Sequence, residues 1–139
     1  MKNKLKKVLL VDDSQSTNFF NKVIIEKSDV AEEISIAKNG IEALEYLHSG
    51  NIPEIIFLDL NMPVMNGWEF LIEYQKLDKG MKGSIIIVML GASLNKKEEN
   101  FIKSIPEVKE SREKMLNKEI VNDIMNTYFI ESISVTPSN

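Results

Sequence analysis

The sequence predicts an α/β fold of the doubly wound kind, a parallel sheet with helices on both faces. Three observations carry that prediction. Short apolar runs alternate with segments of helical periodicity, the pattern of repeated βαβ units. Two of these runs, Val8-Leu9-Leu10-Val11 and Ile55-Ile56-Phe57-Leu58, end in carboxylates, Asp12 and Asp13 after the first and Asp59 after the second. A third run, Ile85-Ile86-Ile87-Val88-Met89-Leu90, is apolar throughout, as a central strand covered on both faces must be.

Taken in order, residues 8–11 form the first strand. Ser14 caps the helix after it, in which Phe20, Val23 and Ile24 share one face at i, i+3, i+4. Residues 34–37 form a short second strand, closed by the turn signal Asn39-Gly40. Ile41, Ala43, Leu44 and Leu47 are the inward stripe of a second helix that Gly50 and Pro53 end, with His48 in its last turn, where a cation suits the helix dipole. Residues 55–58 are the third strand. The loop Asn61-Met62-Pro63-Val64-Met65-Asn66-Gly67 follows, then a third helix opened by Trp68 and carrying Phe70, Leu71 and Tyr74. Residues 79–83 connect to the fourth strand, 85–90. Gly91-Ala92-Ser93 is a loop, Ser93 or Asn95 caps a fourth helix, and Phe101, Ile102 and Ile105 point inward.

The fifth strand is the weakest element. Residues 107–118 should supply it, yet their only apolar members are Val108, Met115 and Leu116, and their Lys, Glu and Arg content suits a helix better. A last helix carries Ile120, Val121, Ile124, Met125, Tyr128 and Phe129. Met89, Met115 and Met125 read as core fillers. The expected organisation is one domain, residues 1–130, with a mobile C-terminal tail over 131–139.

Composition narrows the function. Net charge is −4, from 17 Lys+Arg against 21 Asp+Glu, which leaves no basic footprint for nucleic acid; the start, Lys2 to Lys7, is too short and broken to serve as a binding arm. The absence of cysteine removes disulfides, thiolate metal sites and thiol nucleophiles. No segment has the roughly 18 apolar residues of a membrane span, and the N-terminus has no secretory pattern, so a cytoplasmic location is expected.

In a parallel sheet all carboxyl ends share one rim, and ligands bind there, at the crevice where strand order reverses. That rim carries Asp12, Asp13 and Asp59, with Gly91, Ala92 and Ser93 in the next loop and Lys118 beyond the fifth strand. Three acids together cost several kcal/mol to bury unless something compensates them. A divalent cation does so, and oxygen-only ligands favour Mg²⁺ over zinc. Acids, a hard cation and a lysine on one rim suit phosphoryl transfer.

These residues bring a resemblance with them. Val11-Asp12-Asp13-Ser14 and Leu58-Asp59-Leu60-Asn61-Met62-Pro63-Val64-Met65-Asn66-Gly67, supported by Ala37-Lys38-Asn39-Gly40-Ile41-Glu42-Ala43-Leu44 and Asn117-Lys118, resemble the response-regulator receiver domains, of the stand-alone chemotaxis-regulator type. The resemblance implies a flavodoxin-like, five-stranded parallel sheet of order 2-1-3-4-5. It implies that Asp59 is the phospho-acceptor, that Asp13 and Asp59 ligate Mg²⁺ directly with the Asn61 carbonyl, and that Asp12 acts through water. Lys118 pairs with Asp59 and then with the phosphoryl group, which Gly91 and Ala92 contact through their backbone. The implied partners are a sensor histidine kinase or phosphotransfer protein and a downstream protein target, the chain acting as a monomer or as a homodimer through the strand 4–5 face.

Three positions depart from the family pattern. Gly91 stands where Thr or Ser normally bonds the phosphoryl group. Met115 lies three residues before Lys118, where Tyr or Phe is usual. Glu119 follows Lys118 in place of a proline. Both halves of the usual switch are therefore missing, and the strand-five edge is expected to be mobile, displaced or remade by a partner. The expected function is a phospho-acceptor module of a two-component phosphorelay rather than a dedicated enzyme, signalling through protein contacts because no output domain follows Phe129. The alternative is a degenerate receiver that binds its partner independently of phosphorylation. A phosphohydrolase of the haloacid-dehalogenase type needs Asp-x-Asp after the first strand, which the adjacent Asp12-Asp13 does not provide.

Overall fold

The computed structural model describes residues 4–129; the expected tail, 131–139, lies outside them. Five strands, β1 (Leu5–Val11), β2 (Ala31–Ala37), β3 (Ile55–Asp59), β4 (Ile85–Leu90) and β5 (Val108–Glu113), form one parallel sheet of order β2-β1-β3-β4-β5. Between and after them run α1 (Gln15–Ser28), α2 (Gly40–His48), α3 (Gly67–Gln75), a 3₁₀ turn (Lys79–Met81), α4 (Lys96–Lys103) and α5 (Lys118–Tyr128). This is the flavodoxin-like topology, with the strand order reversing between β1 and β3.

Each face of the sheet has its own core. Leu9, Val11, Ile56, Leu58, Ile86 and Val88 meet Ala43, Leu47, Phe70, Tyr74 and Ile102 from α2, α3 and α4. Val8, Leu10, Ile55, Phe57, Ile87 and Met89 meet Ile25, Val121, Ile124 and Met125 from α1 and α5. Central strands sandwiched this way are apolar on both sides, and β3 is buried at every residue.

The helix ends follow from their caps. Ser14 Oγ accepts the Thr17 N–H at 3.2 Å, and Asn66 and Asn95 each form a reciprocal capping box, with Glu69 and Glu98. Asn95 is thus the cap of α4, which leaves Ser93 free in the preceding loop. Trp68 packs at the start of α3 against Phe101 of α4, ring centroids 6.0 Å apart.

Several expectations are corrected. Residues 108–113 are a strand despite their helix-favouring composition. As an edge strand β5 buries little, alternates half-buried with exposed residues, and takes its conformation from the ladder with β4, which carries a bulge opposite Ile86 and Ile87. Because that ladder runs to Leu90↔Glu113 and continues with the Lys114 N–H on the Leu90 carbonyl at 2.9 Å, the edge is formed rather than displaced. In α1 the inward residues are Asn18, Asn21 and Ile25, while Phe20 is exposed. Met115 is exposed rather than a core filler.

Candidate functional site

The parallel register brings the carboxyl ends of β1, β3 and β4 level: Val11 pairs with Leu58, and Asp59 with Met89. Residues that follow these strands therefore converge on one rim. Asp12, Asp13 and Asp59 do so closely enough that one carboxylate oxygen from each lies within 4.8 Å of the others. Asp12 and Asp59 are buried and Asp13 is exposed.

Asp12 is held at both ends. Its N–H donates to the Ala37 carbonyl at 3.0 Å, its own carbonyl accepts from Asn18 Nδ2 at 2.7 Å, and Oδ1 accepts the Ser14 N–H at 2.8 Å. Asp59 Oδ1 takes Lys114 Nζ at 3.0 Å and the Asn61 N–H at 3.4 Å. Its second oxygen, Oδ2, is buried without a hydrogen-bond partner. Burial pushes the Asp59 carboxyl above the ordinary carboxylate value; the Lys114 hydrogen bond opposes the rise and the charge on Asp12 adds to it. Burial would lower the Lys114 ammonium, but the carboxylates of Asp59 and Asp12 outweigh it and hold Lys114 above its usual range.

The lysine beside the acids is Lys114, which also reaches Asp12 Oδ2 at 3.4 Å. Lys118, expected in that place, is instead the exposed first residue of α5, behind the Asn117 cap. The four-residue error came from extending the fifth strand to 118. The usable signal was local: Val108 followed six residues later by Lys114, then Met115-Leu116 turning into a capping Asn117. The departures move with it. Met115, not Glu119, occupies the place of the family's proline, at φ +147° and with no cis bond among the described residues. Ser111, not Met115, stands three residues before the lysine.

Ser111 pairs with Val88 and so shares its face of the sheet, the side covered by α4. With no ring at Ser111, a cavity of about 470 Å³ opens between α4 and β5, lined by Leu90, Leu94, Ile102, Val108 and Ser111. A second cavity of about 460 Å³ joins Gly91, Ala92 and Ser93 to Lys114. A Cβ added to Gly91 would meet nothing within 4 Å, and its φ is not positive, so neither crowding nor conformation demands glycine there. Gly67 is the opposite case: a Cβ would lie 2.4 Å from the Asp59 carbonyl oxygen and 2.7 Å from Leu60 Cα. Its N–H donates to the Leu60 carbonyl at 3.0 Å, fastening α3 to the end of β3.

The donor set fits a hard cation. Three carboxylates converge, one buried oxygen lacks a partner, and no nitrogen or sulfur ligand is nearby among the described acidic, His and Cys groups.

Comparison with known proteins agrees with this geometry. A family model described as the response regulator receiver domain matches residues 8–122. The chemotaxis protein CheY of Halobacterium salinarum is 36% identical over 76 residues, 54% of this chain and 60% of that protein. Protein-glutamate methylesterase/protein-glutamine glutaminase 3 of Burkholderia thailandensis is 37% identical over 71 residues, and the chain spans only 19% of its length. A crystal structure of a two-component response regulator from Cytophaga hutchinsonii superimposes with a TM-score of 0.81 at 30% identity, over 92% of this chain and 99% of that one. A family match over residues 8–122 covers most of the chain, and the chain belongs to the response regulator receiver domain family.

Proposed function

We propose that this chain is a phospho-acceptor signalling module in which Asp59 receives a phosphoryl group from the phosphohistidine of a sensor kinase or phosphotransfer protein. The observation that carries the reading is the state of Asp59: a buried carboxylate with one oxygen on Lys114, the other without a partner, and two further acids beside it. Asp59 is the nucleophile. As its oxygen forms the new P–O bond, the P–N bond of the donor breaks, and the electron pair stays on the imidazole nitrogen, which takes up a proton from solvent. Lys114 holds the carboxylate in place and then balances the charge of the acyl phosphate. Gly91 and Ala92 border the cavity beside Lys114, where their backbone N–H groups offer donors to the phosphoryl oxygens. Asp12, Asp13, Asp59 and the Asn61 carbonyl are the groups that would hold Mg²⁺, which screens the acids and the incoming phosphoryl oxygens when bound.

The signal leaves through protein contacts near β4, β5 and α4, where the open cavities lie; a cytoplasmic setting goes with such a kinase partner. Among the described residues no helix is long and apolar enough to cross a membrane. Gly91 and Ser111 favour a second reading, a receiver that docks its partner whatever the state of Asp59. A ligand of equal affinity for both states shifts nothing, so equal partner affinity with and without a phosphoryl analogue selects this second reading.

The direct test is incubation with acetyl phosphate and Mg²⁺, read by intact mass. One phosphoryl adduct is expected in the wild type and none in Asp59→Asn. A folded wild type without adduct, or a variant labelled equally, rules the reading out.

A further inference from the structure

We propose that Asn21 of α1 is a positioning residue for Lys114, acting through its hydrogen bond to the backbone of the β5–α5 loop. The proposal deepens the phosphoryl-transfer reading and rests on it. Lys114 leaves β5 with its N–H on the Leu90 carbonyl at 2.9 Å, and α5 begins behind the Asn117 cap. Only Met115 and Leu116 lie between these fixed points. Met115 sits at φ +147°, a backbone region that L-residues rarely adopt and that persists only where the surroundings over-determine it.

Those surroundings are specific. Leu116 is 2% exposed and belongs to the same buried cluster as Val121, Ile124 and Ile25. The Leu116 N–H donates to Asn21 Oδ1 at 3.0 Å, a buried contact across 95 positions of sequence. One turn earlier on the same helix, Asn18 Nδ2 holds the Asp12 carbonyl at 2.7 Å. Residues three apart share a helix face, so a single face of α1 fastens both partners of the Lys114–Asp12 pair: Asp12 through Asn18, and the loop carrying Lys114 through Asn21. Buried amides are unfavourable unless engaged; here each bonds main chain flanking the site, Asn18 through Nδ2 and Asn21 through Oδ1, while Asn18 Oδ1 stays buried without a partner. Asn21 acts on the loop and, through it, on the placement of Nζ against Asp59.

The test compares Asn21→Leu, which keeps similar volume without the acceptor, with wild type and with Lys114→Met. In metal-free protein, amide hydrogen exchange of Leu116 should accelerate by about tenfold or more in Asn21→Leu. Labelling by acetyl phosphate and Mg²⁺ should slow about tenfold, the scale of a modest misplacement of a positioned group. In a Lys114→Met background the same substitution should have no further effect on labelling, the non-additivity expected of residues that act as a unit. If Asn21→Leu does not fold, Asn21→Ser, whose hydroxyl is too short to span the gap, carries the same comparison. Leu116 exchange at the wild-type rate, or equal slowing in both backgrounds, overturns the proposal. A wild type that protects Leu116 yet accepts no phosphoryl group overturns the phosphoryl-transfer reading instead, and the exchange result alone then decides the tether.

Discussion

The two halves of the site rim are built to different standards. On the β1–β3 side Asp12 is bonded at its N–H, carbonyl and side chain, and Gly67 has no room for a single methyl group. On the β4–β5 side, Gly91 faces open space, Ser111 leaves a cavity behind it, and the loop after Lys114 turns at a strained methionine. The contrast separates what phosphoryl chemistry needs from what reports it. On the phosphoryl-transfer reading, the acids must be placed closely, whereas the β4–β5 side, which would sense the phosphoryl group, has room to differ.

Four experiments can break or sharpen that contrast. The largest effect is expected at Lys114. Lys114→Ala should slow labelling of Asp59 by about 100-fold, the scale of losing one preorganised charge-stabilising donor, while Lys118→Ala should leave the rate within about twofold of wild type. The reverse ranking would mean that the loop geometry described for residues 114–118 is wrong. Next is Gly67→Ala, which drives a methyl group into the backbone of Asp59 and Leu60 and should cost about 1–3 kcal/mol in chemical denaturation. An unchanged midpoint would show that this side is less constrained than its distances say.

A subtler test uses pH. The Asp59 carboxyl is raised in the folded protein, so its ionised form opposes folding at neutral pH. Stability from this group is therefore gained as pH falls through its folded value, and the effect levels off below the ordinary 3.8. Asp59→Asn should accordingly melt a few degrees above wild type at pH 7 without metal, and the gap should close toward pH 3. On the reading that the acidic rim holds Mg²⁺, millimolar Mg²⁺ should reverse the order by stabilising the folded wild type through mass action. A variant that melts below wild type at pH 7 without metal would contradict the direction of the shift. The smallest effect is expected at Gly91→Ser: less than about 0.5 kcal/mol on stability, with slower loss of the adduct if the added hydroxyl reaches the phosphoryl group. A large loss of stability would mean that the open space beside Gly91 is needed by the fold.

The same contrast governed what could be read from the chain. Strands buried on both sides announce themselves: Ile55 to Leu58 and Ile85 to Leu90 have no alternative to the sheet interior, and the acids at the ends of the first and third strands are conspicuous for that reason. The Asn-Gly loop before Trp68 was readable because turn chemistry is local. β5 was not, since an edge strand has one neighbour, buries half its residues only lightly, and four of its six residues are the charges a helix also favours. The lysine was therefore placed one helical turn too late, at Lys118 in place of Lys114. Asn18 and Asn21 were missed for another reason: hydrophobic periodicity assigns polar residues to solvent, and here the exposed face of α1 carries Phe19 and Phe20 while two amides face the sheet.

Trp68 is the single tryptophan of the chain. It borders a cavity of about 190 Å³ together with Asn61 and Gly91, and its ring leans on Phe101 of α4. A rearrangement of α4 that shifts Phe101 would change the surroundings of that indole. Trp68 is thus placed to serve as an intrinsic optical probe, and a change in its emission on stopped-flow mixing with acetyl phosphate and Mg²⁺ is the expected outcome.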